Sequence, residues 1–349
     1  MDTQAAINRA QIITPIEEMI RAKAILAPMS GVTDFPFRMM ARKHGCKYAF
    51  TEMIDVNGIV YKNRKSFRLL ERNPVDDPLA VQLVGQDADK LVHVARLCVE
   101  KGFELVDINA GCPARKVVKC GKGSALMKDP VKFARIIRKL VKALSVPVTV
   151  KIRSGWEEEN LNYLEVVRAA ESEGASAVCV HPRTKDKMYK GKPDHEITQK
   201  IKMASKIPVF ASGNIFTADD AARVLEETGC DAVFVARGAL GHPWIFDEIE
   251  NKLSGTEDDN SMTFEDIKDA IMEHFFLSVG YHGEKMSFKK MYKHITWYLK
   301  KKKNLDCIMK EYRKIETLED LKEFLERLQL REGNKLELLR AQHVSAPTL

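Results

Sequence analysis

The sequence has 349 residues, of which 45% are hydrophobic, and a formal net charge of +7; it exceeds the ~250–300 residues at which a single core stops growing, which predicts one large domain and a smaller one. No apolar run approaches the ~20 residues of a membrane span, and the acidic N-terminus lacks the apolar region of a signal peptide, so we expect no membrane partner. The seven cysteines are scattered without C-x-x-C spacing, which argues against a disulfide framework and a zinc cluster and predicts reduced thiols in a cytoplasmic setting and no metal.

Short β-rich runs alternate with helical patterns from residue 25 to about residue 250. One helical segment, 217–229, opens with Thr217 as a predicted N-cap and closes at Gly229. The eight predicted strands cover residues 24–28, 48–53, 79–85, 104–109, 147–152, 176–181, 207–213 and 231–237. Eight apolar strands, each followed by a helical segment, predict an α/β protein with the (β/α)8 or TIM barrel fold. The alternative, a doubly wound sheet, usually carries G-x-G-x-x-G after its first strand, and no strand here is followed by that motif.

The composition changes after the eighth strand. Residues 251–262, "NKLSGTEDDNSM", are polar and helix-breaking, and we interpret them as a linker. The predicted organisation is therefore a catalytic barrel over 1–250 and a small all-α domain over 263–349. Three helices are predicted in the latter, over 263–283, 287–304 and 316–333.

Polar residues interrupt the apolar strands at one end. In a barrel, function gathers where the strands exit at their carboxyl ends. The residues at these exits are Pro28, Met29, Ser30, Gly31, Thr51, Glu52, Met53, Gln82, Asn109, Gly111, Cys112, Lys151, Arg153, His181, Arg183, Ser212, Gly213, Asn214, Ala236, Arg237 and Gly238.

Several of these residues also have a purely structural interpretation. Gln82 could satisfy a neighbouring backbone group, and His181 alone is more often a hydrogen-bonded core histidine than a reactive one. Lys151 is harder to explain in that way, because a lysine inside a filled barrel needs an anion or an acceptor.

The exits of the seventh and eighth strands predict a phosphate site. Loops at these positions are the usual phosphate-binding loops of a barrel, and the helix that starts at Thr217 offers backbone N–H groups beside Arg237. A polar planar group near Gln82 and Lys151 would complete the site. FMN satisfies both demands.

The stretch "VDINAGCPARKVVKCGKGSALM", residues 106–127, places a lone thiol, Cys112, between a glycine and a proline at the end of a strand. The loop that follows is basic and contains no acid. Its cations are Arg115, Lys116, Lys119 and Lys122.

Five motifs of this sequence resemble those of the tRNA-dihydrouridine synthases, with the bacterial B-type group as the nearest match. The motifs are "APMSGVTDFPFR" (27–38), "NAGCPARKVVKCGKGSALMKDP" (109–130), "VTVKIRSGW" (148–156), "VHPRT" (180–184) and "ARGALGHPWIF" (236–246). The resemblance covers almost the whole chain from about residue 25 to the helical tail. It implies a flavoenzyme that reduces uridine in tRNA to 5,6-dihydrouridine with FMN, and NADPH as the reductant.

The resemblance also implies roles for individual residues. It makes Cys112 the proton donor and Asn109 a contact to the uracil, with Arg183 beside the substrate. The residues that it assigns to FMN are Pro28, Met29, Ser30, Gln82, Lys151, His181, Ser212, Gly213, Asn214, Ala236 and Arg237. The strand-7 sequence "ASGN" departs from the Asn-Gly-Asp of many relatives, which leaves open which side chain meets the phosphate. Cys120 receives no role.

The chemistry of the reaction explains the thiol. Reduction of the uracil C5–C6 bond needs a hydride at C6, which a reduced flavin can donate, and a proton at C5. A thiol with a pKa of ~8.5 keeps its proton near neutrality, whereas a carboxylic acid would be largely ionised.

The basic loop fits an RNA substrate, because a base in folded tRNA must be flipped into the pocket and its phosphates then lie at the rim. A second basic run, 285–303, has eight lysines and no acid, and we assign Lys289, Lys290 and Lys293 to tRNA binding. A solvated helix face is the alternative for this run. We expect Trp297 in the core and the protein to be a monomer.

Two other functions remain open at this point. One is an FMN barrel that reduces a free small molecule, such as a dihydropyrimidine or dihydroorotate enzyme or an enoate reductase, which would not require residues 263–349. The other is a non-catalytic RNA-binding barrel, which does not explain why Gln82, Lys151 and Cys112 converge.

Overall fold

The computed structural model describes residues 14–256 and 262–329. The parts of the predicted domains and linker that lie outside the described residues are 1–13, 257–261 and 330–349. Within the described ranges the chain forms two compact units. The first comprises residues 14–239 and 244–256, and the second residues 240–243 and 262–329.

The first unit contains a single sheet of nine parallel strands. The strands are β1 (Ala24–Leu26), β2 (Tyr48–Phe50), β3 (Ile54–Asp55), β4 (Leu79–Val84), β5 (Val106–Ala110), β6 (Val148–Arg153), β7 (Ala177–His181), β8 (Val209–Ser212) and β9 (Ala232–Val235). Both β2 and β3 pair with β4, so they are two segments of one interrupted strand position. Because the β2–β4 pairing joins the two ends of the sheet, the sheet closes into a barrel of eight positions. The predicted (β/α)8 barrel is confirmed, and each predicted strand overlaps one strand of the barrel.

Helices surround the barrel and return the chain between successive strands. They are α1 (Pro15–Ala22), α2 (Phe35–Lys43), α3 (Val56–Val60), α4 (Arg64–Arg68), α5 (Ala88–Glu100), α6 (Arg115–Val118), α7 (Pro130–Ala143), α8 (Tyr163–Ser172), α9 (His195–Ala204), α10 (Ala218–Thr228) and α11 (Ile245–Ser254), with 3-10 turns at Gly123–Lys128 and Arg237–Ala239. The predicted caps of α10 are confirmed. Thr217 accepts from the Asp220 N–H at 3.1 Å, and Gly229 ends the helix with φ 64°.

Apolar side chains fill the barrel interior. The rings of Phe50 and Phe234 lie 5.2 Å apart between centroids, and those of Phe210 and Phe234 lie 5.9 Å apart. Cys179 is buried beside them, and burial raises the pKa of its thiol to about 12. Because these apolar side chains fill the barrel interior and exclude water from it, we expect polar chemistry at the carboxyl ends of the strands.

The second unit is helical but differs in detail from the prediction. Its helices are α12 (Phe264–His282), α13 (Glu284–Tyr298), α14 (Leu305–Tyr312) and the run 318–329. The predicted helix over 287–304 is too long, since α13 ends at Tyr298 and Asn304 adopts a left-handed φ of 59° before α14. Four consecutive lysines, 300–303, repel one another in a helix, and a separate short helix, α14, follows them.

Residues 240–243 belong to the helical unit because Gly241 packs directly on the end of α13. A Cβ atom at Gly241, whose φ is 62°, would lie 2.2 Å from the carbonyl carbon of Trp297. Only glycine fits this contact. In addition, α11 continues to Ser254, so residues 251–254 of the predicted linker are helical.

Candidate active site

The parallel register brings the polar strand ends together. Asn109 of β5 pairs with Lys151 of β6, and Arg153 of β6 pairs with His181 of β7. Because side chains alternate along a strand, residues two apart, such as Lys151 and Arg153, point to the same side of the sheet. The candidate site therefore forms a layer of polar groups above the apolar barrel interior.

Cys112 lies in a tight turn that a side chain of its own strand holds. Asn109 Oδ1 accepts from the N–H groups of Gly111 at 3.1 Å and Cys112 at 2.8 Å. A Cβ atom at Gly111 would lie 3.3 Å from the Lys151 carbonyl oxygen, so the turn presses against β6. Ser124 then donates from Oγ to the Cys112 carbonyl at 2.9 Å. The thiol is thus fixed from both sides while remaining partly exposed.

The environment of Cys112 favours the protonated thiol. Burial raises the pKa of the Cys112 thiol, and this effect outweighs the Ala114 N–H and the charges of Arg153 and Lys116, which lower it. A thiol with a raised pKa keeps its proton at neutral pH and is a poor nucleophile but a competent acid.

A chain of hydrogen bonds runs beneath this turn. Asn109 donates from Nδ2 to Gln82 Oε1 at 2.8 Å, and Gln82 donates from Nε2 to Asp107 Oδ2 at 2.7 Å. The other carboxylate oxygen of Asp107 accepts from Thr149 Oγ1 at 2.7 Å. Burial raises the pKa of Asp107, against the hydrogen bonds from Gln82 and Thr149 and the charge of Lys151. The predicted cofactor residue Gln82 and the predicted uracil contact Asn109 therefore form one network, and Asn109 also supports the turn of Cys112.

Arg153 joins the Cys112 turn to the loop that follows β7. Its side chain is 1% exposed and donates from Nε to the Gly111 carbonyl at 2.8 Å. Its Nη1 donates to the carbonyls of Thr184 at 2.9 Å and Met188 at 2.8 Å. Burial lowers the pKa of Arg153 to about 10, which still leaves the guanidinium charged at neutral pH.

The exits of β7, β8 and β9 meet around Asn214. Arg183 donates to Asn214 Oδ1 at 3.0 Å and Arg237 donates to the same oxygen at 3.1 Å. Arg183 Nη1 also lies 3.0 Å from His181 Nε2, and since a guanidinium only donates, this nitrogen must accept. Burial, followed by the charges of Arg153, Lys151, Arg183 and Arg237, holds the pKa of His181 well below its ordinary value. His181 is therefore a neutral imidazole.

The structure places Arg183 differently from a freely exposed substrate contact. It is 4% exposed and also donates to the Gly191 carbonyl at 2.7 Å. Arg183 thus helps to organise this corner together with Arg237, and its contact to the substrate stays a prediction.

Bare backbone surrounds the same corner. A Cβ atom at Gly213, whose φ is 121°, would lie 2.9 Å from His181 Cδ2, and one at Gly238 would lie 2.2 Å from the Ile215 carbonyl oxygen. The neighbouring predicted residues Ser212 and Ala236 flank these glycines at the ends of β8 and β9.

The loop after β1, which holds Pro28, Met29 and Ser30, is rigidly supported. The Met29 N–H donates to Thr33 Oγ1 at 3.0 Å, and Arg38 donates to the Thr33 carbonyl at 2.6 Å. Arg38 is itself held by an ion pair to the buried Asp76 at 2.7 Å. Ser30 is exposed at the tip of this loop.

These residues fit the FMN that the sequence predicts. Lys151, Arg153, Arg183 and Arg237 gather at the barrel mouth, and none of them forms an ion pair with a carboxylate within the described part of the chain. Such unbalanced positive charge favours an anionic ligand. The bare backbone at Gly213 allows a phosphate to approach closely.

The cations of the basic loop after Cys112 differ in their exposure. Arg115, Lys116 and Lys119 are exposed on and after α6, as expected for contacts to a polyanion. Lys122 departs from this expectation. It is 5% exposed and its Nζ lies 2.7 and 2.8 Å from the two carboxylate oxygens of Asp55, so it fastens the loop to the end of β3.

In the helical unit, the predicted tRNA contacts lie on α13. Lys289 is exposed, while Lys290 and Lys293 are partly buried. Lys293 lies 5.9 Å from the ring centroid of Trp297. Trp297 was expected in the core but is only partly buried, packing edge-on against His294 at 5.1 Å.

Sequence reasoning gave no site role to Asp107 and Thr149, and it named Arg153 only as a residue at a strand exit. Asp107 could have been found, since it lies two residues before Asn109 on β5 and therefore faces the same side. The pairing of Arg153 with the loop after β7 has no comparable local signal. Within residues 14–256 and 262–329, no helix is long and apolar enough to cross a membrane, and no group of three or more His, Cys, Asp or Glu could hold a metal ion.

Comparison with known proteins finds similar sequences and a similar fold. Residues 25–333 match the family model described as dihydrouridine synthase (Dus). The tRNA-dihydrouridine synthase B of Pseudomonas aeruginosa is 40% identical over 277 residues, 79% of this chain and 83% of that protein. The protein of the same name from Vibrio cholerae is 35% identical over 307 residues, 88% of this chain and 95% of that protein. Among solved structures, histamine dehydrogenase from Rhizobium sp. 4-9 has a TM-score of 0.52 at 12% identity, and the match covers 73% of this chain and 49% of that one, which indicates a shared fold.

Proposed function

This chain belongs to the dihydrouridine synthase family, and from that premise we propose that it reduces the C5=C6 bond of specific uridines in tRNA to 5,6-dihydrouridine. The observation that carries the proposal is the partly exposed thiol of Cys112, whose raised pKa keeps its proton at a barrel mouth where four cations have no carboxylate partner among the described residues. The names of the relatives supply the tRNA substrate.

We propose FMN as the cofactor and NADPH as its reductant. The reduced FMN supplies the hydride that goes to uracil C6. Gln82 and Lys151 hold its ring system, and Pro28, Met29 and Ser30 line it from the loop after β1. His181 contacts the flavin. The residues proposed for the ribityl phosphate are Ser212, Gly213, Asn214, Ala236 and Arg237.

Cys112 gives its proton to uracil C5. The raised pKa of the thiol keeps this proton available, and the turn held by Asn109 and Arg153 fixes the direction from which it is delivered. The transfer leaves a thiolate, which the nearby charges of Arg153 and Lys116 stabilise. Partial exposure of the side chain allows a proton from water to restore the thiol.

The exposed cations Arg115, Lys116 and Lys119 bind phosphates near the flipped uridine. The helical unit, with Lys289, Lys290 and Lys293 on α13, adds a second tRNA-binding surface. We further propose that the protein acts as a monomer.

A direct assay tests this function. The purified protein is incubated with FMN, NADPH and an unmodified tRNA transcript, and the nucleosides are analysed by mass spectrometry for a uridine that has gained two hydrogens. Free uridine under the same conditions is the comparison. Reduction of tRNA but not of free uridine supports the proposal, whereas equal activity on free uridine would favour an enzyme of small-molecule metabolism.

A further inference from the structure

Three loops at the carboxyl end of the barrel meet at one indole ring, that of Trp156. Lys128 Nζ lies 3.5 Å from the centroid of this ring and Lys185 Nζ lies 4.4 Å from it. Lys128 ends the 3-10 turn that follows the Cys112 loop, Trp156 follows β6, and Lys185 follows β7. We call Lys128, Trp156 and Lys185 the indole cluster.

The indole cluster concentrates positive charge without neutralising it. Neither Lys128 nor Lys185 has an ion pair to a carboxylate among residues 14–256 and 262–329. Their distances to one centroid place the two ammonium groups within about 8 Å of each other, roughly one Debye length at physiological ionic strength. The ring compensates each cation by only about 0.5–1 kcal/mol at an exposed site. The two ammonium groups are therefore available to an anion.

Of the three acidic residues that follow Trp156 in the same loop, two are engaged by direct contacts, and the charge of the third, Glu159, helps Glu158 to raise the pKa of Lys187. Glu158 pairs with Lys187 at 3.0 Å, and Glu157 accepts from Asn160 Nδ2 at 2.7 Å. Lys187 is therefore a neutralised lysine close in sequence to Lys185, which makes it a matched comparison.

Backbone hydrogen bonds hold the indole cluster in place. The N–H of Lys185 donates to the Gly155 carbonyl at 3.0 Å, and the N–H of Asp186 donates to the Trp156 carbonyl at 3.2 Å. Asn162 donates to the carbonyl of Met127 at 2.6 Å, which fixes the residue before Lys128. Since the loops are joined before any ligand arrives, binding an anion here orders little additional chain.

We propose that the indole cluster binds the RNA phosphate backbone beside the uridine that enters the site, an inference that rests on the proposed function. The placement supports this partner, because the cluster and the Cys112 loop lie on the same rim of the barrel. Lys128 ends the 3-10 turn that follows the Cys112 loop in the chain. The ammonium groups lie over the ring, so the cluster offers charge rather than a bare aromatic face for base stacking. It therefore binds RNA without regard to sequence.

The test compares a double variant, Lys128→Gln with Lys185→Gln, against the control variant Lys187→Gln. Both are made in the full-length flavin-loaded protein. The dissociation constant for an unmodified tRNA transcript is measured over a range of salt concentrations. Loss of two phosphate contacts should reduce the slope of log K against log salt by about 1.4 to 1.8, while Lys187→Gln leaves it unchanged. Flavin content and NADPH oxidation should equal those of the wild type in both variants.

The outcomes separate this inference from the proposed function. If the wild type binds tRNA with a clear salt slope and the double variant keeps that slope, the indole cluster is not a phosphate site. If the double variant loses flavin, or unfolds at a temperature far below that expected from the loss of two ring contacts of about 0.5–1 kcal/mol each, the cluster is structural and the inference is overturned. If the wild type itself fails to bind tRNA, the proposed function fails first.

Discussion

The Arg153 guanidinium donates to the carbonyl oxygen of Gly111 at 2.8 Å, one residue before the thiol of Cys112. The same guanidinium holds two carbonyls in the loop after β7. It is fully buried and its hydrogen bonds go to backbone oxygens rather than to an acid. One side chain of β6 thus sets the relative position of two loops at the barrel mouth, which makes Arg153 a positioning residue for Cys112.

Substitution of Arg153 tests this role. Lysine cannot reach three carbonyls in two directions, so Arg153→Lys should lower kcat for tRNA on the order of 100-fold with little change in KM. The pKa of Cys112 should also rise, because the charge of Arg153 lowers it and the shorter lysine would lie farther away. The measurements are steady-state kinetics and the pH dependence of Cys112 alkylation. The control is Arg138→Lys on α7, where the arginine forms an exposed ion pair with Glu173. A raised KM with normal kcat and alkylation would contradict the positioning role.

Removal of the thiol should separate the two halves of the reaction. Cys112→Ala removes the proposed acid but no residue assigned to the cofactor. Uridine reduction should fall about 10²- to 10⁴-fold, while flavin binding and flavin reduction by NADPH remain normal in anaerobic spectra. Normal turnover of tRNA by this variant would exclude Cys112 as the proton donor.

The pH dependence follows from the raised pKa of Cys112. The acid must carry its proton, so the rate of uridine reduction should be constant through neutral pH and fall as pH rises through the thiol pKa. That fall should occur above the ~8.5 of an ordinary thiol. Single-turnover reduction of tRNA by the pre-reduced enzyme measures it, with flavin reduction by NADPH followed separately at each pH. A rate that increases with alkaline pH would require a thiolate and would rule out this role.

Lys122 should behave differently from its exposed neighbours. Its ammonium is buried against Asp55, so Lys122→Gln should lower the free energy of unfolding by about 1–3 kcal/mol and leave the salt slope of tRNA binding unchanged. Lys116→Gln/Lys119→Gln should do the reverse, with a slope reduced by about 1.4 to 1.8. Urea unfolding and salt-dependent binding of both variants test this contrast. An altered salt slope for Lys122→Gln would return this residue to the RNA-binding surface.

The barrel could be predicted from the sequence because its signals are local. Each strand is an apolar run long enough to be recognised, and the polar residue that ends it, such as Lys151 or His181, marks the mouth. The caps at Thr217 and Gly229 depend on residues adjacent to the helix that they bound. These features need no knowledge of distant contacts.

What could not be predicted depends on partners far apart in the chain. Lys122 reads as an exposed loop cation until Asp55, 67 residues away, is placed beside it. Arg153 reads as the end of a strand until the carbonyls of Thr184 and Met188 surround it. The break after Tyr298 was missed because the lysines that follow have a high intrinsic helix propensity, which their mutual repulsion offsets.

The side-chain amide of Gln82 can adopt only one of its two orientations. Its carboxamide gives a hydrogen to Asp107 and takes one from Asn109, and rotating the group by half a turn would set oxygen against oxygen and nitrogen against nitrogen. One amide hydrogen is left over, so an occupant that meets this edge must offer a lone pair. A glutamate at position 82 would have no hydrogen to donate to Asp107 and none to donate to a ligand. The protein therefore fixes the positions of the hydrogen-bond donor and acceptor of Gln82 before any ligand binds.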